Sequence, residues 1–189
     1  MVTIERPHVN REWRWRRWDQ NWVPLLEGGL ILLMGGITLA LQRPLLFASL
    51  GPTAYEQIEK PESPSAKLYN VIVGHWIGMA SGFAALALLN AWNVPKPTIG
   101  HFTAARVEAC TIAVALTALC TLLAKAGQPA AYATAIMVAE GSMQRASDAW
   151  AIALAVIILG LVGEPIRRMR LLPGQPANQQ PTESGPYTS

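Results

Sequence analysis

Apolar stretches separated by polar breaks run through most of the chain, and they come in two lengths. Long ones cover about residues 23–41, 70–89, 103–125 and 149–163, near the ~20 residues that a bilayer-crossing helix requires. Short ones cover Leu45 to Tyr55 and Pro129 to about Gly141. As helices these would reach only ~17–20 Å at 1.5 Å per residue, too little for a ~30 Å hydrocarbon core. Each short stretch follows a local break, Gln42-Arg43-Pro44 or Ala126-Gly127, and reads as a re-entrant or broken helix.

The two short stretches share a pattern. Leu50 to Tyr55 reads LGPTAY and Gly127 to Tyr132 reads GQPAAY, an offset of 77 residues. Adding that offset to the second long stretch predicts 147–166, where the fourth lies, so the repeat extends over the whole apolar region. The expected fold is all-α and polytopic: four transmembrane helices, two short re-entrant or broken helices, and an internal two-fold repeat. The boundaries that follow are an arm at 1–22, a first membrane repeat at 23–89, a connector at 90–102, a second repeat at 103–165 and an end at 166–189. The segment from Glu56 to Lys67 is a polar loop with Pro61 and Pro64. Pro52 and Pro129 stand at helix starts, where a missing N–H does no harm.

Composition agrees with a membrane chain, because half the residues are hydrophobic and only 14% are charged. The N-terminus interleaves Arg11, Arg14, Arg16 and Arg17 with Trp13, Trp15, Trp18 and Trp22. That is an interfacial arm rather than a cleavable signal, with arginine at headgroups and tryptophan at the acyl boundary. The partner implied is lipid, not nucleic acid. From Pro173 onward the sequence is Pro-, Gln-, Gly-, Ser- and Thr-rich and reads as disordered. If four helices cross and the short ones dip in without crossing, the N-terminus, the connector and the C-terminus share one side with ten of the fifteen Lys and Arg residues. The positive-inside rule then places both termini in the cytoplasm of a multi-pass inner (plasma) membrane protein, with parallel repeats. If the short segments cross, the repeats are inverted, and the side of the connector distinguishes the two arrangements.

Candidate chemistry is sparse. Gly74, Gly78 and Gly82 form a stripe at spacing four, a seam for close helix approach, as are the pairs Gly28-Gly29 and Gly35-Gly36. His75 beside the seam is either a buried hydrogen-bonding residue or a ligand- or proton-handling one. Glu27 is expected to meet a positive helix end or the wet interface rather than to serve transport chemistry, Glu108 to cap a helix or face a cavity, and Arg106 to snorkel to the interface. Cys110 and Cys120 lie ~15 Å apart along one helix and form no intrahelical disulfide. Neither a metal-ligand spacing nor a nucleophile-and-base set is present, so no cofactor, no metal and no enzyme activity are expected. A helix starting inside a membrane offers free N–H groups and a positive dipole end to an anion, and broken helices at matching places in two repeats point to a midplane transport site. The candidate substrate-binding residues are Gly51, Pro52, Thr53, His75, Gln128, Pro129 and Thr134.

The stretch Ser63-Pro64-x-Ala66 followed by Asn70-Val71-Ile72-x-Gly74-His75 resembles the first signature of the HPP family of integral membrane proteins. The family's naming motif reads His-Pro-Pro-Ala-x-Ala-Thr-Ala, and the aligned stretch here is Gln128-Pro129-Ala130-Ala131-Tyr132-Ala133-Thr134-Ala135. The resemblance covers about residues 23–165 and implies a compact four-helix membrane domain, with some plastid and cyanobacterial relatives linked to nitrite transport. The expected function is therefore a transporter or channel for a small inorganic anion, nitrite first. The alternative is a non-transporting assembly or regulatory subunit. A homo-oligomer is compatible with either.

Overall fold

A computed structural model describes residues 19–98 and 103–171. The interfacial arm before Asp19 and the tail from Pro173 lie outside the described residues. The chain forms α1 (Asp19–Leu41), α2 (Leu50–Glu59), α3 (Leu68–Leu88), α4 (Ala104–Leu123), α5 (Pro129–Ala139) and α6 (Ala146–Leu171), with no strand among the described residues. The all-helical fold expected from the apolar pattern is the one observed. Among the described residues, four helices are long and apolar enough to cross a membrane: Asn21–Leu41, Leu68–Leu88, Ala104–Leu123 and Ala146–Leu171.

Local chemistry explains the breaks. Residues 42–49 are non-helical because Gln42 takes φ 51° and Pro44 cannot donate to a helix ladder. Asn90 (φ 49°) and Lys125 (φ 51°) end α3 and α4 in the left-handed region. Pro129 is the first residue of α5, and the Gln128 side chain caps the helix by accepting from the Ala130 N–H at 3.4 Å. Glu164-Pro165 does not end the last span as the sequence suggested. α6 runs through Pro165 to Leu171, its last turns held by Glu164, which accepts from Arg167 at 2.8 Å and Arg168 at 2.7 Å.

Contacts at the two ends of the bundle fix the path of the chain. At one end, Asn70 Nδ2 donates to the Gly127 carbonyl at 3.1 Å, Tyr69 Oη to Ala124 at 3.0 Å, and Arg167 Nη1 to Pro61 at 2.9 Å. Glu27 of α1 faces Glu59 of α2 and is near Arg170 at the same end, so Glu27 is no cap. At the other end, Gln144 Nε2 donates to Trp92 at 3.2 Å and Lys96 Nζ to Ser142 at 3.5 Å. Arg43 and Leu45 approach Ser147 and Trp150 there. Both α2 and α5 thus carry the chain from one end to the other, together with the non-helical residues that flank them. They are broken rather than re-entrant.

This corrects the expected topology. The connector lies at the opposite end from Asp19 and Leu171, so each half makes three passes, and the parallel relation between halves does not hold. Arg106 is corrected too. Instead of snorkelling outward it is 1% exposed, with Nη1 donating to Ala139 at 2.9 Å, Nε to Pro95 at 3.3 Å and Nη2 to Val94 and to Gln144 Oε1. The guanidinium meets the free carbonyl end of α5, where a cation is favoured. Gly141 (φ 95°) leaves it room, since a Cβ there would come within 2.7 Å of Nη2.

The glycine stripe of α3 packs on α5. A Cβ at Gly74 would lie 2.6 Å from Gln128 Cβ, and one at Gly82 would lie 2.7 Å from Val138 Cβ and 2.8 Å from the Ala135 carbonyl. At Gly78 it would lie 3.0 Å from the Ala131 carbonyl carbon and closer still to its oxygen. In lipid, where the hydrophobic effect does not draw helices together, close backbone approach supplies the packing energy. α4 packs against both α3 and α5, while α2 lies between α1 and α6. Gly28, Gly29 and Gly36 of α1, read from the sequence as an approach surface, have open space around them.

Candidate functional site

The broken helices bring polar side chains into the middle of this apolar bundle. Thr53, one turn into α2, and Thr134, one turn into α5, approach His75 of α3 from two sides. Thr53 Oγ1 lies 2.8 Å from His75 Nε2 and Thr134 Oγ1 lies 2.7 Å from Nδ1. Ser49, at the start of α2, joins with Oγ 2.8 Å from Thr134 Oγ1. Thr53, His75 and Thr134 are 0% exposed and Ser49 1%. His75 is seven residues past the start of α3, ~10 Å inside by helical rise.

Buried polar groups must pair or lose the free energy of hydration, and here every one has a partner. Thr53 has a second acceptor in the Ser49 carbonyl at 2.9 Å, and Thr134 has one in the Ala130 carbonyl at 3.3 Å. A neutral imidazole donates from one ring nitrogen and accepts at the other. If Nε2 carries the hydrogen, it donates to Thr53, which donates to the Ser49 carbonyl, while Thr134 donates to Nδ1 and accepts from Ser49. The opposite tautomer is served by the same atoms with the hydroxyls turned.

Gln128 is 1% exposed and packs over Gly74, the residue before His75 on α3. Its Oε1 caps α5, and its Nε2 is a buried donor without a protein partner. It also borders a cleft of about 480 Å³, shared with Ser63, Ser65 and Tyr132, at the end that holds the termini. Gln57, a turn beyond Thr53, is 0% exposed with neither amide atom paired, and its side chain presses on Gly163.

Of the residues expected at the site, Thr53, His75 and Thr134 are brought into direct contact and Gln128 close by. Gly51, Pro52 and Pro129 are exposed; they shape the helix starts but do not face the cluster. The structure adds Ser49 and Gln57, which a sequence reading passes over because serine and glutamine near a loop carry no period or spacing. Among the described residues, no group of three or more His, Cys, Asp or Glu side chains is placed to hold a metal ion. The buried charged residues are at the ends: Arg106 on backbone carbonyls, Glu164 on two arginines.

Four membrane-crossing helices, two broken helices and an uncharged polar centre define an α-helical, multi-pass integral membrane protein. A family model described as HPP, transmembrane region, matches residues 16–164. The chain belongs to the HPP family. No curated protein and no solved structure matches it.

Proposed function

We propose that this protein moves a small inorganic anion across the membrane, at a site between the starts of α2 and α5. The observation that carries the reading is that the two broken helices bring the neutral hydroxyls of Ser49, Thr53 and Thr134 to one buried cluster around His75. The positive dipole end of a helix favours an anion, while conduction requires that binding stay weak enough for release. A buried lysine or arginine at this depth would work against release. The side chains at hand are hydroxyls and the amide of Gln128, whose Nε2 has no protein partner, and none carries a permanent charge.

The order long, short, long occurs twice along the chain, and we infer that the halves are inverted repeats. Small or apolar residues at Gly74, Gly78 and Gly82 correspond at the offset of 77 to Ala151, Ala155 and Leu159, which are buried in α6 beside α2. Inverted halves suit a site that opens to either side in turn. The described basic residues at the end that holds the termini are Lys60, Lys67, Lys125, Arg167, Arg168 and Arg170, against Arg43, Lys96, Arg106 and Arg145 at the other. Five further arginines precede α1 in the sequence. This asymmetry supports cytoplasmic termini in a plasma membrane, with the connector outside.

Nitrite is the first substrate to test, on the strength of the family resemblance. Purified protein in liposomes should take up nitrite, nitrate or formate faster than empty liposomes. Uptake of none of them would favour an assembly or regulatory subunit.

A further inference from the structure

We infer that His75 is a proton-binding site and that the anion crosses together with a proton. This rests on the transport reading above and adds the coupling ion. The hydrogen-bond shell around the imidazole serves its charged form as well as its neutral one. An imidazolium donates from both ring nitrogens, so Thr53 Oγ1 and Thr134 Oγ1 would both accept. Each hydroxyl then needs an acceptor of its own, and each has one at the preceding turn: the Ser49 carbonyl at 2.9 Å and the Ala130 carbonyl at 3.3 Å. Ser49 Oγ continues to donate to Thr134. Protonation therefore leaves no donor unpaired and requires only that hydroxyls rotate.

What the shell lacks is a counter-charge. α5 has no charged residue, and α3 has none except His75 if that ring is protonated. The charged residues of α2 are Glu56 and Glu59, in its last turns toward the termini, with Glu59 facing Glu27 of α1. Those of α4 are Arg106 and Glu108, in its first turns. In α6 they are Asp148 in the first turn and Glu164, Arg167, Arg168 and Arg170 beyond Gly163. The remaining titratable groups on these helices include Tyr69, which donates to Ala124, and the partly buried Tyr132, Cys110 and Cys120.

An anion alone in this centre would be an unpaired buried charge, and so would an imidazolium alone; both are strongly disfavoured. Together they neutralise each other. The step balances simply: water on one side gives a proton to the free ring nitrogen of His75 as the anion binds, and on the other side the ring returns it to water as the anion leaves. No covalent bond to the anion forms or breaks. The substrate class is a monovalent anion moved as an electroneutral pair with H⁺.

The test uses full-length protein in liposomes with a trapped pH-sensitive dye and potassium plus valinomycin to set the potential. Nitrite, nitrate and formate are added outside one at a time, with empty liposomes correcting for diffusion of the neutral acids. The parent should acidify the lumen by one proton per anion, and an inside-positive potential should not accelerate uptake. His75→Gln, which keeps hydrogen-bonding groups but holds no extra proton, should lose acidification, and any residual anion flux should follow the potential. Glu56→Gln should keep the coupling. Anion uptake by the parent without acidification, driven by the potential, would overturn the inference while leaving the transport reading standing. Uptake of no anion would overturn both. Because the parent alone decides between these outcomes, a poorly folded variant does not rescue the idea.

Discussion

Gly78→Ala tests the packing on which the site depends. The added methyl group would lie 3.0 Å from the Ala131 carbonyl carbon and closer still to its oxygen, whereas carbon contacts are optimal at ~3.5–4.0 Å. Backbone cannot turn aside as a side-chain end can, so α5 must retreat from α3 by ~0.5–1 Å. Overpacking of this kind costs about 1–3 kcal/mol. The retreat also lengthens the 2.7 Å pair between His75 and Thr134, and losing a buried hydrogen bond adds ~1 kcal/mol or more. A total near ~3 kcal/mol corresponds to a fall in Tm of roughly 6–12 °C for a chain of this size. The reference is Gly36→Ala on α1, where nothing lies within 4 Å of the new carbon and higher helix propensity should leave stability equal or slightly raised. Both variants are compared with the parent by thermal unfolding in one detergent. Equal melting temperatures for Gly78→Ala and Gly36→Ala would refute the α3–α5 seam.

Further outcomes follow from the same geometry. Thr53→Val and Gln128→Leu should each weaken anion binding by about 1–3 kcal/mol by removing buried donors, read as smaller anion-dependent thermal stabilisation than the parent shows; equal stabilisation in all three would move the site elsewhere. Arg106→Met should destabilise by at least ~3 kcal/mol because several buried carbonyls lose a charged donor, and Arg106→Lys should recover little of it, having no planar fork; full stability of the methionine variant would contradict the burial described. With Cys110 and Cys120 removed, single cysteines at the exposed positions Asn93 and Ser142 should react with an impermeant reagent on intact cells while one at Lys60 should not; if Asn93 and Ser142 differ, the path of the chain is wrong.

Much of this architecture is legible in the sequence, and the failures have physical causes. The spacing of Gly74, Gly78 and Gly82 gives the seam because four residues return a helix to one face, and Pro129 marks the start of α5 because proline is well suited to a first helical position. The sidedness of the connector was misread for two reasons. Ten helical residues do not cross a bilayer, but α2 does not act alone: the non-helical residues 42–49 before it share the path back through the bundle. Arg106, counted as a surface charge, is spent on backbone carbonyls, which no count of lysines and arginines reveals. At the site, His75, Thr53, Thr134 and Gln128 stand out as polar residues in apolar runs. Ser49 and Gln57 do not, since their burial depends on helices 85 and 106 residues away in sequence, as the Ser49–Thr134 contact and the separation of Gln57 from Gly163 make plain.

Each short helix packs partly on the other half: α5 beds on α3 of the first half as well as on α4, and α2 on α6 of the second half as well as on α1. For a ribosome feeding a membrane, this means that the first half cannot mature by itself. When α3 has been synthesised, Ser49 still lacks its hydroxyl partner, His75 has only one of its two, and the groove over Gly74 to Gly82 is unfilled. The polar centre closes only when α5 arrives, and α2 waits longer still, for the final helix. The chain therefore emerges as a late-completing unit, with His75 short of a partner until Thr134 has been made. If the halves were made as separate polypeptides, each would depend on the other for its core.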